Sequence, residues 1–168
     1  PEAQLDRFLL KVLVRFPTSE ELVSVVDRTT GATAASVKPV ADAQTLDAMI
    51  DLTRRAPIAS HLVEHAVHLV MATHPGGETA PEPVRRFVRF GASPRGAQAL
   101  VLAAKAAALL DGRPNVSASD IRAVAPAVLR HRLVLGYEAP VEGVQPDDVV
   151  SAVLDAVPEP AVGIRGAP

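Results

Sequence analysis

The sequence predicts a mainly α-helical protein, with a short α/β segment leading into a linker and then a helical bundle. Three observations carry that expectation. From about Ala43 onward the apolar residues recur at three- and four-residue spacing. Well-formed helix starts punctuate this part, Ser93-Pro94 and Ser117 with Asp120 among them. Strand-type alternation is confined to KVLVRF, Lys11 to Phe16, where Val12 and Val14 share one face and Pro17 closes the run.

The elements can be justified in order. Glu2 to Phe8 fits one helical turn. Thr18 and Glu21 have capping-box spacing, and Leu22, Val25 and Val26 extend a helical stripe to about Arg28. Residues 29–42 are small and polar and include Lys38-Pro39, which reads as a linker. Ala43 to Arg55 places Leu46, Met49, Ile50 and Thr53 on one helix face. Ser60 is expected to cap a helix reaching about Thr73, with Leu62, Val63, Ala66, Val67 and Val70 buried, before Pro75-Gly76-Gly77 ends it. Glu82 to Phe90 is a shorter helix or an extended piece.

Ser93 as N-cap and Pro94 at the first helical position open the longest element. Its run Ala97 to Leu110 is apolar nearly all round, so it should be the central helix. Ser117 and Asp120 start the next helix, with Val116 and Ile121 as a hydrophobic staple, and Pro126 should kink or split it. A last helix, Pro146 to Val157, carries Asp147 and Asp148 in its first turn, where they suit the helix dipole. No further strand is expected after Ala43, and the tail 158–168 is expected to be mobile.

Composition narrows the function. The chain has 168 residues, is 48% hydrophobic and 21% charged, and can therefore bury a core. A formal net charge of -2 argues against a general nucleic-acid binder or a polybasic membrane binder, and 3% aromatic content leaves few stacking platforms for bases. With no cysteine there are no disulfides, thiolate metal sites or cysteine nucleophiles. No apolar run approaches the roughly 18 residues of a membrane span. The chain opens on Pro1, not Met, so a processed, truncated or incompletely represented protein is expected.

The loudest short motif is His61-Leu62-Val63-Glu64-His65, an H-x-x-E-H pattern. Two histidines four apart share a helix face and could hold zinc, with Glu64 as base and a third ligand from Glu138, Glu142 or His68. The helix already has a complete apolar stripe that the histidines flank, which favours an ordinary structural reading. No G-x-x-x-x-G-K-[ST] phosphate loop is present. Two arginines are better candidates for chemistry. Arg95 falls in the first turn of the Ser93-capped helix, where a cation is disfavoured by up to about 1 kcal/mol unless an anion is bound beside it. Arg7 follows a short helical turn, an exposed place from which a side chain can project. For both, a solvated surface arginine is the ordinary alternative.

PEAQLDRF (Pro1 to Phe8) followed by a hydrophobic run resembles the late part of the ATPase core of MoxR-type AAA+ proteins. GASPRGAQALVLAAKAAALLDGR (Gly91 to Arg113), VSASDIRAVAPAVLRHRLVL (Val116 to Leu135) and EGVQPDDVV (Glu142 to Val150) resemble the helical lid of the same family, in order and spacing. The resemblance implies residues 1–28 as the end of the ATPase core, 29–42 as linker, and 43–157 as the lid domain. It implies Arg7 as the arginine finger, reaching in trans to a neighbour's γ-phosphate, and Arg95 as the sensor 2 arginine on nucleotide phosphate. No residue is implied as a metal ligand.

By the same resemblance the intact protein would be a cytoplasmic ATPase using ATP and magnesium. It would assemble into a ring, with a hexamer expected, and remodel partners in a chaperone-like way, von Willebrand A-type domain proteins and client enzymes among them. No nucleic acid or membrane is implied. Gln145 departs from the better N-caps of many relatives. The phosphate loop, magnesium-binding acidic motif and sensor 1 are absent, so this chain alone is expected to be inactive and to bind nucleotide weakly. Because KVLVRF lacks its usual neighbours, residues 1–16 are expected to be displaced, packed on the lid or paired between chains. The competing readings are a stand-alone helical interaction module and, more distantly, an H-x-x-E-H zinc hydrolase.

Overall fold

Helix starts with satisfied end amides and an alanine-rich central stripe organise the computed structural model, which describes residues 2–31 and 36–160. Its helices are α1 (Glu2–Leu5), α2 (Ser19–Thr30), α3 (Ala43–Arg55), α4 (Ser60–Ala72), α5 (Glu82–Phe87), α6 (Pro94–Leu110), α7 (Ala118–Leu129), α8 (Glu138–Val141) and α9 (Pro146–Ala156). Two short strands, β1 (Val88–Phe90) and β2 (Val134–Leu135), form an antiparallel pair with an irregularity between Val88 and Phe90. The mainly helical expectation holds. The strand pair is a correction to the expectation of none after Ala43.

The chain divides into two compact units: residues up to Lys11 together with those from Leu52 onward, and Val12–Asp51. The larger unit holds the core. Gly96, Ala99, Ala103, Ala104 and Ala108 give α6 a flat, small-residue face, with Leu100 buried among them. Such a face lets neighbouring helices approach closely, and α6 packs most extensively on α7 and next on α4. Leu69 of α4, Ile121, Val128 and Leu129 of α7, and Val149, Val150 and Val153 of α9 complete that core, all fully buried.

Caps were legible. Ser93 accepts a hydrogen bond from the Arg95 amide at 3.2 Å, with Pro94 at the helix start. Ser117 and Asp120 close a capping box beneath buried Val116 and Ile121. Gln145, a weak N-cap by type, still completes one, because its amide donates to Asp148 at 2.8 Å. Pro126 does not split α7, which runs unbroken from Ala118 to Leu129.

Other expectations are corrected. Ser60 is the first residue of α4, not its cap; Ala59 holds the cap position and makes no side-chain bond. The buried stripe of α4 is rotated: Leu62, Ala66 and Val70 are inside as expected, but His65 and Leu69 join them while Val63 and Val67 are exposed. Whichever neighbours meet a helix select its buried face, and a helix apolar on several sides offers more than one choice.

In the second unit, Thr18 and Glu21 close the expected capping box and α2 extends to Thr30. No residue of α2 or α3 is buried, so the Leu46, Met49 and Ile50 face is exposed. Residues 11–18 form no strand, which corrects the reading of KVLVRF. A strand exists only in a ladder, and no described strand pairs with this run; Val14 and Phe16 are 89% and 85% exposed. Part of the expected tail, residues 161–168, lies outside the described residues. No helix among the described residues is long and apolar enough to cross a membrane.

Candidate functional site

The start of α6 is built from both sides. Thr73, fully buried at the end of α4, donates through Oγ1 to the Val70 carbonyl at 2.6 Å and accepts from the Ala92 amide at 2.9 Å. His74 Nε2 lies 3.0 Å from the Ala92 carbonyl oxygen. These bonds pin the turn Gly91–Ser93 and so set where α6 begins.

Asp6 completes the site. Ser93 Oγ lies 3.0 and 2.9 Å from its two carboxylate oxygens, and Arg95 Nη1 donates to Oδ2 at 3.1 Å. The anion that sequence reasoning required beside Arg95 is therefore present, and in this structure it is a carboxylate of the same chain. Burial by itself would raise the Asp6 pKa. Hydrogen bonds from Ser93 and Arg95, with the charges of Arg132 and Arg95, outweigh it and hold the carboxyl below the usual range.

Arg132, three residues past the end of α7, is the buried centre of the cluster. Its side chain is 2% exposed, with Nε 3.3 Å from Asp6 Oδ1. Nη2 donates to the carbonyls of Phe8 at 2.8 Å and Asp6 at 3.3 Å, while Nη1 donates to Leu9 at 3.2 Å and to Val128. Burial lowers its pKa and Asp6 opposes that shift. Gly96 lets α6 sit close to Ala92 and Val70: a Cβ there would lie 3.2 Å from Ala92 Cβ and 3.3 Å from Val70 Cγ2.

Further bonds tie residues 8–11 to the end of α7. The Lys11 amide donates to Ala127 at 2.8 Å, Arg130 donates to the Lys11 carbonyl at 3.1 Å, and His131 Nε2 lies 2.9 Å from the Phe8 carbonyl oxygen. Burial pushes the His131 pKa down. Of the three arrangements expected for residues 1–16, the structure shows packing, here against the end of α7, as far as Lys11. A cleft of about 520 Å³ opens here, lined by Asp6, Ser93, Arg130, Arg132, Phe90 and Pro146 among others.

Arg7 is exposed in the turn after α1, whose amides bond back to Gln4 and Leu5. The structure thus brings Asp6, not Arg7, to Arg95. The histidine motif is pulled apart. His65 points into the core, with burial lowering its pKa, whereas His61 and Glu64 are exposed. Glu142 pairs with Arg86, and no group of three or more metal-ligating side chains exists among the described residues. Arg132 was the residue that sequence reasoning missed. Its signal was periodicity: Ala125, Val128 and Leu129 are buried, and position 132 continues that stripe with a charge.

Comparison with known proteins bears on this geometry. A family model of the AAA lid domain matches residues 83–153, which contain α6, α7 and most of the cleft wall. The chain is 36% identical over 162 residues to chaperone MoxR1 of Mycobacterium tuberculosis, covering 96% of this chain and 43% of that protein. The chain resembles the C-terminal, lid-bearing part of MoxR-type AAA+ proteins. Protein MoxR of Methylorubrum extorquens is 32% identical, over 95% of this chain and 50% of that protein. A crystal structure from Cytophaga hutchinsonii, of a candidate ATPase, superposes with a TM-score of 0.85 at 29% identity over 95% of this chain and 49% of that one. The chain spans about half the length of the relatives it matches.

Proposed function

We propose that this chain is the lid-bearing part of a ring-forming ATPase that uses ATP and magnesium to remodel or activate partner proteins. In this reading residues 1–28 end the ATPase core, 29–42 link it to the lid, and 43–157 are the lid. Arg95 contacts nucleotide phosphate and Arg7 acts in trans on a neighbour's γ-phosphate. Partners bearing von Willebrand A-type domains, and their client enzymes, are proposed from family likeness alone.

One observation carries the nucleotide role. Arg95 and the Ser93 hydroxyl converge on two carboxylate oxygens at 2.9 to 3.1 Å, which is the spacing and charge that phosphate oxygens would present. This chain holds no phosphate loop, so two arginines cannot by themselves position the nucleotide and its metal. The isolated chain is accordingly proposed to be inactive.

The test is an ATPase assay on the full-length protein beside the 168-residue chain. Hydrolysis by the former and none by the latter supports the reading. In the full-length protein Arg7→Ala should abolish hydrolysis while nucleotide binding survives, and Arg95→Ala should weaken turnover or binding. Wild-type kinetics in either variant removes that arginine from the mechanism.

A further inference from the structure

Three carbonyls around Arg7, those of Asp6, Phe8 and Leu9, all accept from one guanidinium, that of Arg132. The same side chain lies against the Asp6 carboxylate, and that carboxylate is what Ser93 and Arg95 hold. A single buried charge therefore fixes the backbone on both sides of one proposed phosphate-binding arginine and reaches the other through Asp6. We propose that Arg132 is a positioning residue for Arg7, and that Asp6 links the Arg7 segment to Arg95. The inference rests on the finger assignment above and extends it to two residues that touch no phosphate.

The physical case is one of cost. A cation at 2% side-chain exposure loses its hydration and is retained only where hydrogen bonds and an opposite charge replace it. An ordinary C-cap of α7 would need only the Val128 carbonyl. Arg132 also spends its donors on a segment more than 120 residues away in sequence, which is what immobilising that segment requires. The planar fork suits three carbonyls arranged around a turn, and a lysine ammonium cannot span them. Arg7, exposed and without an ion pair among the described residues, depends on its backbone for its direction. Displacing Asp6 from Arg95 would loosen the turn that carries Arg7, so the two arginines are coupled.

Kinetics and nucleotide binding in the full-length protein test this. Arg132→Lys keeps the charge and should lower kcat at least tenfold, with KM for ATP changed less than threefold. Its nucleotide affinity should stay within threefold of wild type, as in Arg7→Ala, because the substitution acts through the direction of Arg7. A merely structural role would instead lower nucleotide binding along with kcat, and that result overturns the proposal. So does wild-type kcat in Arg132→Lys when Arg7→Ala is inactive, which leaves the finger assignment intact. Wild-type kcat in Arg7→Ala overturns both.

Asp6→Asn, which keeps the side-chain shape, guards against misfolding and should reproduce the kcat loss more weakly. In the 168-residue chain, Arg132→Lys should also speed amide hydrogen exchange at Lys11, whose N–H bonds to Ala127. Unchanged exchange there shows that the segment is held without Arg132 and counts against the proposal.

Discussion

Thr73 and Gly91 approach so closely that no side chain fits between them. A Cβ at Gly91 would lie 2.6 Å from the Thr73 carbonyl oxygen and 2.7 Å from its hydroxyl. Backbone atoms at the end of a packed helix cannot yield cheaply. Gly91→Ala should therefore destabilise the protein by about 1–3 kcal/mol, read as a fall in the urea midpoint. An unchanged midpoint would show that the contact relaxes. Thr73→Val should cost a similar amount, about 1–3 kcal/mol, by leaving the Ala92 amide buried without its partner.

Burial separates two leucines of the same helix. Leu100 is fully enclosed, whereas Leu110 is 89% exposed. Leu100→Ala should lose roughly 2–5 kcal/mol, while Leu110→Ala should stay within about 0.5 kcal/mol of wild type. Chemical denaturation of both variants checks the contrast, and comparable losses would contradict the packing described for α6.

Asp120 predicts an acid limb to stability. Two hydrogen bonds from Arg113, then those of Ser117, bring its pKa down to about 2 from the ordinary 3.8, against the opposing effect of burial. The folded value lies below the unfolded one, so the stabilisation is full above about pH 4 and is lost as pH falls toward 2. Its size is roughly 1 kcal/mol, because Arg113 remains partly in solvent. Arg113→Gln should remove most of this dependence, as followed by thermal unfolding between pH 5 and 2. An identical acid limb in the variant would place its origin elsewhere.

The divided histidine motif predicts a null titration. His61 and His65 are expected to give no stoichiometric zinc heat by calorimetry, since one ring is in the core and the other in solvent. Tight binding at one zinc per chain would restore the hydrolase reading.

Short-range chemistry is legible in the sequence. The Thr18, Ser93 and Ser117 starts all form, because a cap involves residues within three positions of one another. KVLVRF fails for the opposite reason: its alternation describes a face, and a strand also needs a neighbour to pair with. The α4 stripe is partly legible. Val63 and Val67 are as apolar as Leu69, and only the positions of α6, α7 and α9 decide which of them is covered.

The candidate site divides in the same way. Sequence alone dictates that the chain is mainly helical, that α6 begins at Ser93-Pro94, and that Arg95 occupies an N-terminal turn that calls for an anion. Those follow from local backbone chemistry and the helix dipole. Tertiary packing settles that Asp6 supplies that anion and that Arg132 is buried beside it. Asp6 and Arg95 are 89 residues apart, and Arg132 donates to a carbonyl 126 positions away. No local periodicity encodes such a pairing; it exists because the core that buries α7 also carries the start of the chain against the end of that helix.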